Sequence, residues 1–153
     1  ELSGSDPRVP LRLQTLWDYM GAEGCAQLAT EFYSRVYTYD EHPPFRDLFR
    51  LRAPQHLAEE ALVGFLAAKL GGPRNYGGFQ KDTKFVKAVH DHFAVYPDYV
   101  DMWMDCMRGA LAACELGERG DECTQLITAW CERFAKTMVN SDSPAPITEP
   151  NSE

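Results

Sequence analysis

Two histidines stand one residue apart in "KAVHDHFAVYPDYVDMW", residues 87–103, and Trp103 follows His90 by thirteen positions. An imidazole titrates near neutrality, so it can serve as a general base, a neutral metal ligand or a satisfied core residue. His42 and His56 lie near turns and helix starts, where surface exposure is the default. Few other residues form a constellation that chemistry needs. Gly71-Gly72-Pro73 follows a helical pattern rather than a strand and lacks the Lys of a phosphate cradle. Glu59-Glu60 belong to the solvated side of a helix whose other side is apolar. No Ser/His/Asp or Cys/His arrangement stands out. The five cysteines (Cys25, Cys106, Cys114, Cys123, Cys131) are odd in number and contain no CxxC pair. They read as free buried thiols in a reducing compartment rather than disulfides or a zinc site.

The elements that must hold these histidines are helical. Residues 11–20 and 22–38 carry apolar side chains at helical spacing, notably Cys25, Leu28, Ala29, Phe32 and Val36. Pro43-Pro44 turns 40–49 into a turn or short helical corner. Pro54 opens an amphipathic helix with Leu57, Ala58, Ala61, Leu62, Phe65 and Leu66 at i, i+3, i+4 spacing. "GGPRNYGG" (71–78) ends it in a glycine-rich loop. A short helix over 82–91 leads through Tyr96-Pro97 into a long one, 98–114, and a last helix covers about 121–139. No strand pattern or internal repeat occurs, so the fold class is all-α. The spacing predicts one domain over 11–139, a flexible tail over 1–10 and a polar, proline-rich, disordered tail over 140–153.

Charge and hydropathy exclude several partners. The 153 residues include 15 Lys+Arg against 23 Asp+Glu, a net −8. That balance argues against nucleic acid or an anionic membrane surface as a partner, since both need a concentrated basic face. No apolar run approaches the roughly 20 residues that span a bilayer. "ELSGSDPRVP" has neither the basic nor the apolar region of a secretory signal. The absence of an initiating Met leaves room for a removed targeting segment. The expected compartment is therefore the cytoplasm, or an organelle stroma or matrix.

An imidazole that ligates iron needs a neutral ring nitrogen on a rigid element facing a flat apolar slot. Phe49, Leu62, Phe65, Phe93 and Trp103 are available to line one, but the same residues serve equally as ordinary core.

In chain order, "GAEG", "EFYSRVY", "FRDLF", "FLAAKLGGPRNY", His-x-His-Phe, "W-M-x-x-M" and "MVNS" resemble a truncated haemoglobin, specifically group II. The resemblance covers roughly residues 13–141. It implies a two-over-two helical sandwich clasping haem b, with His90 as the iron ligand. The family usually reads His-x-Pro-Phe here, so His92 replaces a proline. By the same resemblance Phe49, Leu62, Phe65, Leu66, Phe93 and Val95 pack on the haem, with Phe45 the alternative to Phe49. Tyr33 and Trp103 would donate hydrogen bonds to a bound ligand. Ala58 stands where larger globins carry the distal histidine, with Leu62 one turn on, so entry is open. Lys84 and Lys87 are candidate propionate partners, and Tyr33 or His42 a candidate sixth ligand in the ferric form. The implied function is binding of O₂, NO or CO at ferrous iron. The alternative is a redox enzyme, NO dioxygenase or peroxidase-like, fed by a partner reductase. The sequence sets neither the oligomeric state nor whether the protein turns over as an enzyme.

Overall fold

The computed structural model describes residues 9–73, 76 and 95–141. His90, His92, Phe93, Lys84, Lys87 and the short helix expected over 82–91 lie outside the described residues. Within them a 3₁₀ turn, Leu13–Thr15, precedes five α-helices: α1 Leu16–Val36, α2 Pro43–Arg50, α3 Gln55–Lys69, α4 Pro97–Ala113 and α5 Gly120–Thr137. No strand occurs among the described residues, in agreement with the helical periodicity.

Local chemistry explains the boundaries. The two helices expected on either side of residue 21 run together as α1 but are kinked at Gly21, whose φ of 75° and ψ of 166° are non-helical. Such a positive φ costs glycine little and a residue with a Cβ much more. The corner at 40–49 becomes a true helix because Pro43 and Pro44 occupy its first turn, where no backbone N–H is needed. His42 caps it, Nδ1 accepting from the Phe45 N–H at 3.4 Å. At the far end the Arg50 Nε donates to the Tyr37 carbonyl at 2.8 Å. The Tyr37 hydroxyl donates to the Ala53 carbonyl at 2.7 Å, so α2 and the turn after it are strapped to α1.

Side chains also join α3 to α1. Glu59 accepts from Thr30 Oγ1 at 2.9 Å and from Gln55 Nε2 at 2.8 Å. The other end of α3 stops at Leu70, whose carbonyl accepts from the Trp17 N–H at 2.9 Å. Gly71 follows with φ 89°, and a Cβ there would sit 1.8 Å from the Gln14 carbonyl oxygen. Only glycine permits that approach, and it docks the 3₁₀ turn against the end of α3.

α1 packs against both α3 and α4, and α4 packs against α5. The pairs α1/α3 and α4/α5 thus form the two layers of the expected sandwich. Leu16, Cys25, Leu28, Phe32, Leu66, Met107 and Ile127 fill the space between them with at most 1% exposure. Burying each large apolar side chain contributes about 1.5–3 kcal/mol against chain entropy. All five cysteines are free thiols, four of them buried.

The described residues nearest the two termini are tied to this body. The Val9 carbonyl accepts from Arg119 Nη2 at 2.6 Å. Asn140 and Ser141, the first two residues of the stretch expected as a disordered tail, both donate their backbone N–H to the Val95 carbonyl, at 3.0 and 3.2 Å. The Asn140 side-chain oxygen accepts the Val95 N–H in return at 2.7 Å. Residues 1–8 and 142–153 lie outside the described residues.

Candidate functional site

All five helices contribute to a cavity of about 320 Å³. Tyr33 comes from α1 and Tyr37 from the residue that follows it, Leu48 and Phe49 from α2, Ala58 and Ala61 from α3, Val100 and Trp103 from α4, and Phe134 and Ala135 from α5. Val95 lies in the loop entering α4 and completes the wall. The lining is predominantly apolar and aromatic, with a few polar tips, the composition of small-molecule and cofactor sites.

Aromatic packing sets the walls. The Phe32 ring is fully buried and stands edge-on to Tyr33 (4.8 Å between centroids) and to Trp103 (4.9 Å), so one core residue orients both. Phe49 lies 6.2 Å from Tyr33 and 5.3 Å from Phe45. Phe45 also lines the cavity but is 1% exposed and wedged against Tyr39 and Tyr99, whereas Phe49 stays half-buried.

The polar tips decide what the cavity can do. Among the described residues neither the Tyr33 hydroxyl nor the Trp103 indole N–H has a hydrogen-bond partner, and no sealed side-chain N or O lacks one. Both tips therefore retain accessible surface, on side chains that line the cavity. Burial, helped by Tyr37 and Glu59, pushes the Tyr33 hydroxyl far above the ordinary tyrosine range. It stays protonated throughout the neutral range and can donate. Two unpartnered donors beside an apolar space suit a small electronegative ligand.

Of the residues anticipated from sequence, Tyr33, Phe49, Ala58, Val95 and Trp103 share this cavity. Leu62, Phe65 and Leu66 are not among its lining residues. Leu62 packs half-buried on the core, and Leu66 is sealed within it. Phe65 stacks on Phe134 at 5.0 Å and Trp130 at 5.8 Å. His42 is engaged in capping α2, its ring 5.7 Å from Tyr99, and does not line the cavity. Sequence reasoning did not single out Tyr37, Ala61, Val100, Phe134 or Met138 as lining. Val100 and Phe134 fall at helical spacing within the 98–114 and 121–139 segments, and nothing in that signal separates cavity wall from core.

The chain belongs to the bacterial-like globin family, whose model matches residues 15–140. It is similar to the truncated oxygen-avid haemoglobin of Bacillus subtilis, at 28% identity and a TM-score of 0.62 over 81% of this chain and 98% of that one. It also shares its fold with the cold-adapted truncated haemoglobin of the Antarctic marine bacterium Pseudoalteromonas haloplanktis TAC125, at 21% identity and a TM-score of 0.66 over 83% of this chain and 98% of that one. No curated protein sequence matches. Membership of a globin family implies a haem cofactor and a gaseous ligand such as O₂. The residues present fit that group, because an apolar, aromatic cavity lined by donor-bearing Tyr33 and Trp103 suits a flat tetrapyrrole and a diatomic molecule beside it. No helix among the described residues is long and apolar enough to cross a membrane.

Proposed function

We propose that this chain is a group II haemoglobin that holds haem b through His90 and binds O₂, NO or CO at the ferrous iron. The iron supplies the bond to the ligand, and the protein supplies its surroundings. Tyr33 donates its hydroxyl proton into a hydrogen bond with the bound ligand, and Trp103 donates its indole N–H from the neighbouring wall. Ala58 adds no polar group and leaves the approach open. Phe49 and Val95 pack against the porphyrin, and the apolar lining keeps water from competing for the two donors. The observation that carries this reading is that Tyr33 and Trp103, whose donors have no partner among the described residues, line one apolar cavity.

Two donors beside the ligand favour slow oxygen release, and the similarity to a Bacillus subtilis protein described as oxygen-avid supports that reading. Slow release suits redox use, as NO dioxygenation or a peroxidase-like reaction fed by a partner reductase, better than bulk transport. The compartment is a reducing one, in keeping with five unpaired thiols.

The test is the visible spectrum of the purified protein and of His90→Ala, ferric and then ferrous with CO. A Soret band in the wild type that weakens or shifts in the variant supports His90 as ligand. An unchanged band in the variant assigns the iron elsewhere. No Soret band after haem addition overturns the haem reading altogether. Steady turnover of NO in the presence of a reductase separates the enzyme from the binding protein.

A further inference from the structure

Two of the three tryptophans belong to one run of packed rings. Trp103 borders the cavity, and its ring lies 6.3 Å between centroids from Phe134, which borders the cavity too. Phe134 in turn lies 5.9 Å from Trp130, their planes inclined by 30°. Phe65 closes the group, 5.0 Å from Phe134 and 5.8 Å from Trp130. The third tryptophan, Trp17, has its ring contact among the described residues with Tyr76, at 5.1 Å. Trp130 is half-buried and does not line the cavity. Its indole N–H has no hydrogen-bond partner among the described residues, where no sealed side-chain N or O lacks one. The N–H therefore keeps accessible surface, and it does so outside the cavity. The rings thus lead from the cavity wall to the surface of α5. Packing alone would be met by any large apolar side chain and leaves that N–H unused.

The chemistry of the rings gives this run a use. Indole is readily oxidised by one electron and a benzyl ring is not, so Phe134 and Phe65 fill the space between two redox-active indoles. A phenol must release its proton as it is oxidised, and the Tyr33 hydroxyl has no partner among the described residues to take it. An electron drawn towards the cavity is therefore best supplied through the indoles. At Trp130 the proton that follows it leaves from the accessible N–H to water. We propose that Trp130 is a second, surface oxidation site, at which a phenol too large for the cavity supplies electrons to a peroxide reduced inside. The inference rests on the haem reading above and on its peroxidase-like branch, since bound haem is where peroxide is reduced. The electrons balance in two single steps. Hydrogen peroxide takes up two electrons and two protons and gives two waters. Each electron leaves Trp130 together with its N–H proton. One phenol then returns an electron and a proton to the indole, so two phenols end as two phenoxyl radicals.

The test treats the haem-loaded protein with hydrogen peroxide in the presence of a nitroso spin trap and locates the adduct by peptide mass spectrometry. Wild type should carry the adduct on Trp130 and not on Trp17, which is half-buried as well. Trp130→Phe should lose that adduct while keeping the wild-type ferrous CO spectrum. Turnover is read with a phenol tethered to dextran, which cannot enter the cavity. Trp130→Phe should oxidise it about tenfold more slowly than wild type, a barrier rise of about 1.4 kcal/mol. The labelling is read on wild type and stands whether or not the variant folds. A wild type that consumes peroxide with no adduct on Trp130 overturns the proposal. Equal labelling of Trp17 and Trp130 overturns it as the mark of a freely diffusing oxidant. So does an adduct on Cys131, the sealed next residue, in place of Trp130. Oxidation of the tethered phenol at the wild-type rate by Trp130→Phe also overturns it and assigns Trp130 to packing. A wild type with no Soret band overturns the haem reading, and the relay with it. One that binds haem but leaves peroxide unconsumed overturns the peroxidase-like branch and the relay, with the haem reading intact.

Discussion

α1 and α4 each show two faces of opposite character. On the sealed face Cys25, Leu28 and Phe32 of α1 are fully buried, and Met104 and Met107 of α4 are 2% and 1% exposed. One position along the chain, Tyr33 and Trp103 are only half-buried and border a cavity of about 320 Å³. The sealed face is stabilised by filled volume and dispersion contacts. The cavity face gives up part of that packing to keep a space open, with two donors that have no partner among the described residues. Stability and binding are thus assigned to neighbouring faces of the same helices, about 100° apart, and substitutions on the two faces should have different consequences.

Among single substitutions, the largest effect should come from emptying the sealed face. Leu28→Ala should lower the unfolding free energy by about 3 kcal/mol, read from urea denaturation, because a filled site becomes a void. A loss below about 1 kcal/mol would erase the contrast between the faces.

Alkaline pH should weaken the sealed core as a whole. Burial pushes the Cys131 thiol up to about 12 from the ordinary 9.0. The unfolded chain therefore ionises first. The contribution is full below about pH 9 and is lost as pH rises towards 12, at roughly 1.4 kcal/mol per pH unit for each such thiol. Cys25 and Cys106, also raised to about 12 by burial, add to this slope. Denaturation midpoints measured under reductant from pH 8 to 10.5 should fall, and Cys131→Val should flatten the slope. A slope unaltered by that substitution would show that other groups govern the alkaline limb.

Asn140→Ala should cost about 1–2 kcal/mol, since its side chain satisfies the buried Val95 N–H at 2.7 Å. Unfolding of the variant by circular dichroism checks this, and a neutral result would mean that water replaces the amide. Tyr33→Phe should have the smallest effect on stability, under about 0.5 kcal/mol, because the lost hydroxyl has no partner among the described residues. On the proposed function, stopped-flow oxygen release should nevertheless quicken by about tenfold. A variant that unfolds easily yet releases oxygen at the wild-type rate would reverse the roles assigned to the two faces.

Sequence alone made most of the scaffold legible. Helical periodicity placed the α1, α3, α4 and α5 segments, and Pro43-Pro44 and Gly71 marked two of the breaks. Those signals are local: a proline ring, a missing Cβ and a 3.6-residue period act within one or two turns. Resemblance to a family supplied Tyr33, Phe49, Ala58, Val95 and Trp103, which the structure gathers around one space.

What periodicity could not decide is which buried side chains meet and which stop short of each other. Leu66 and Ala61 share one apolar helix in the sequence, yet Leu66 is sealed in the core and Ala61 borders the cavity. Asn140 reads as tail until its amide meets Val95, 45 residues earlier. The chain by itself determined the helices, their breaks and the family. The placement of five helices against one another decided where a cavity remains and whose polar tips face it. The physical reason is that burial leaves the same apolar pattern in sequence whether a side chain touches a neighbour or a void.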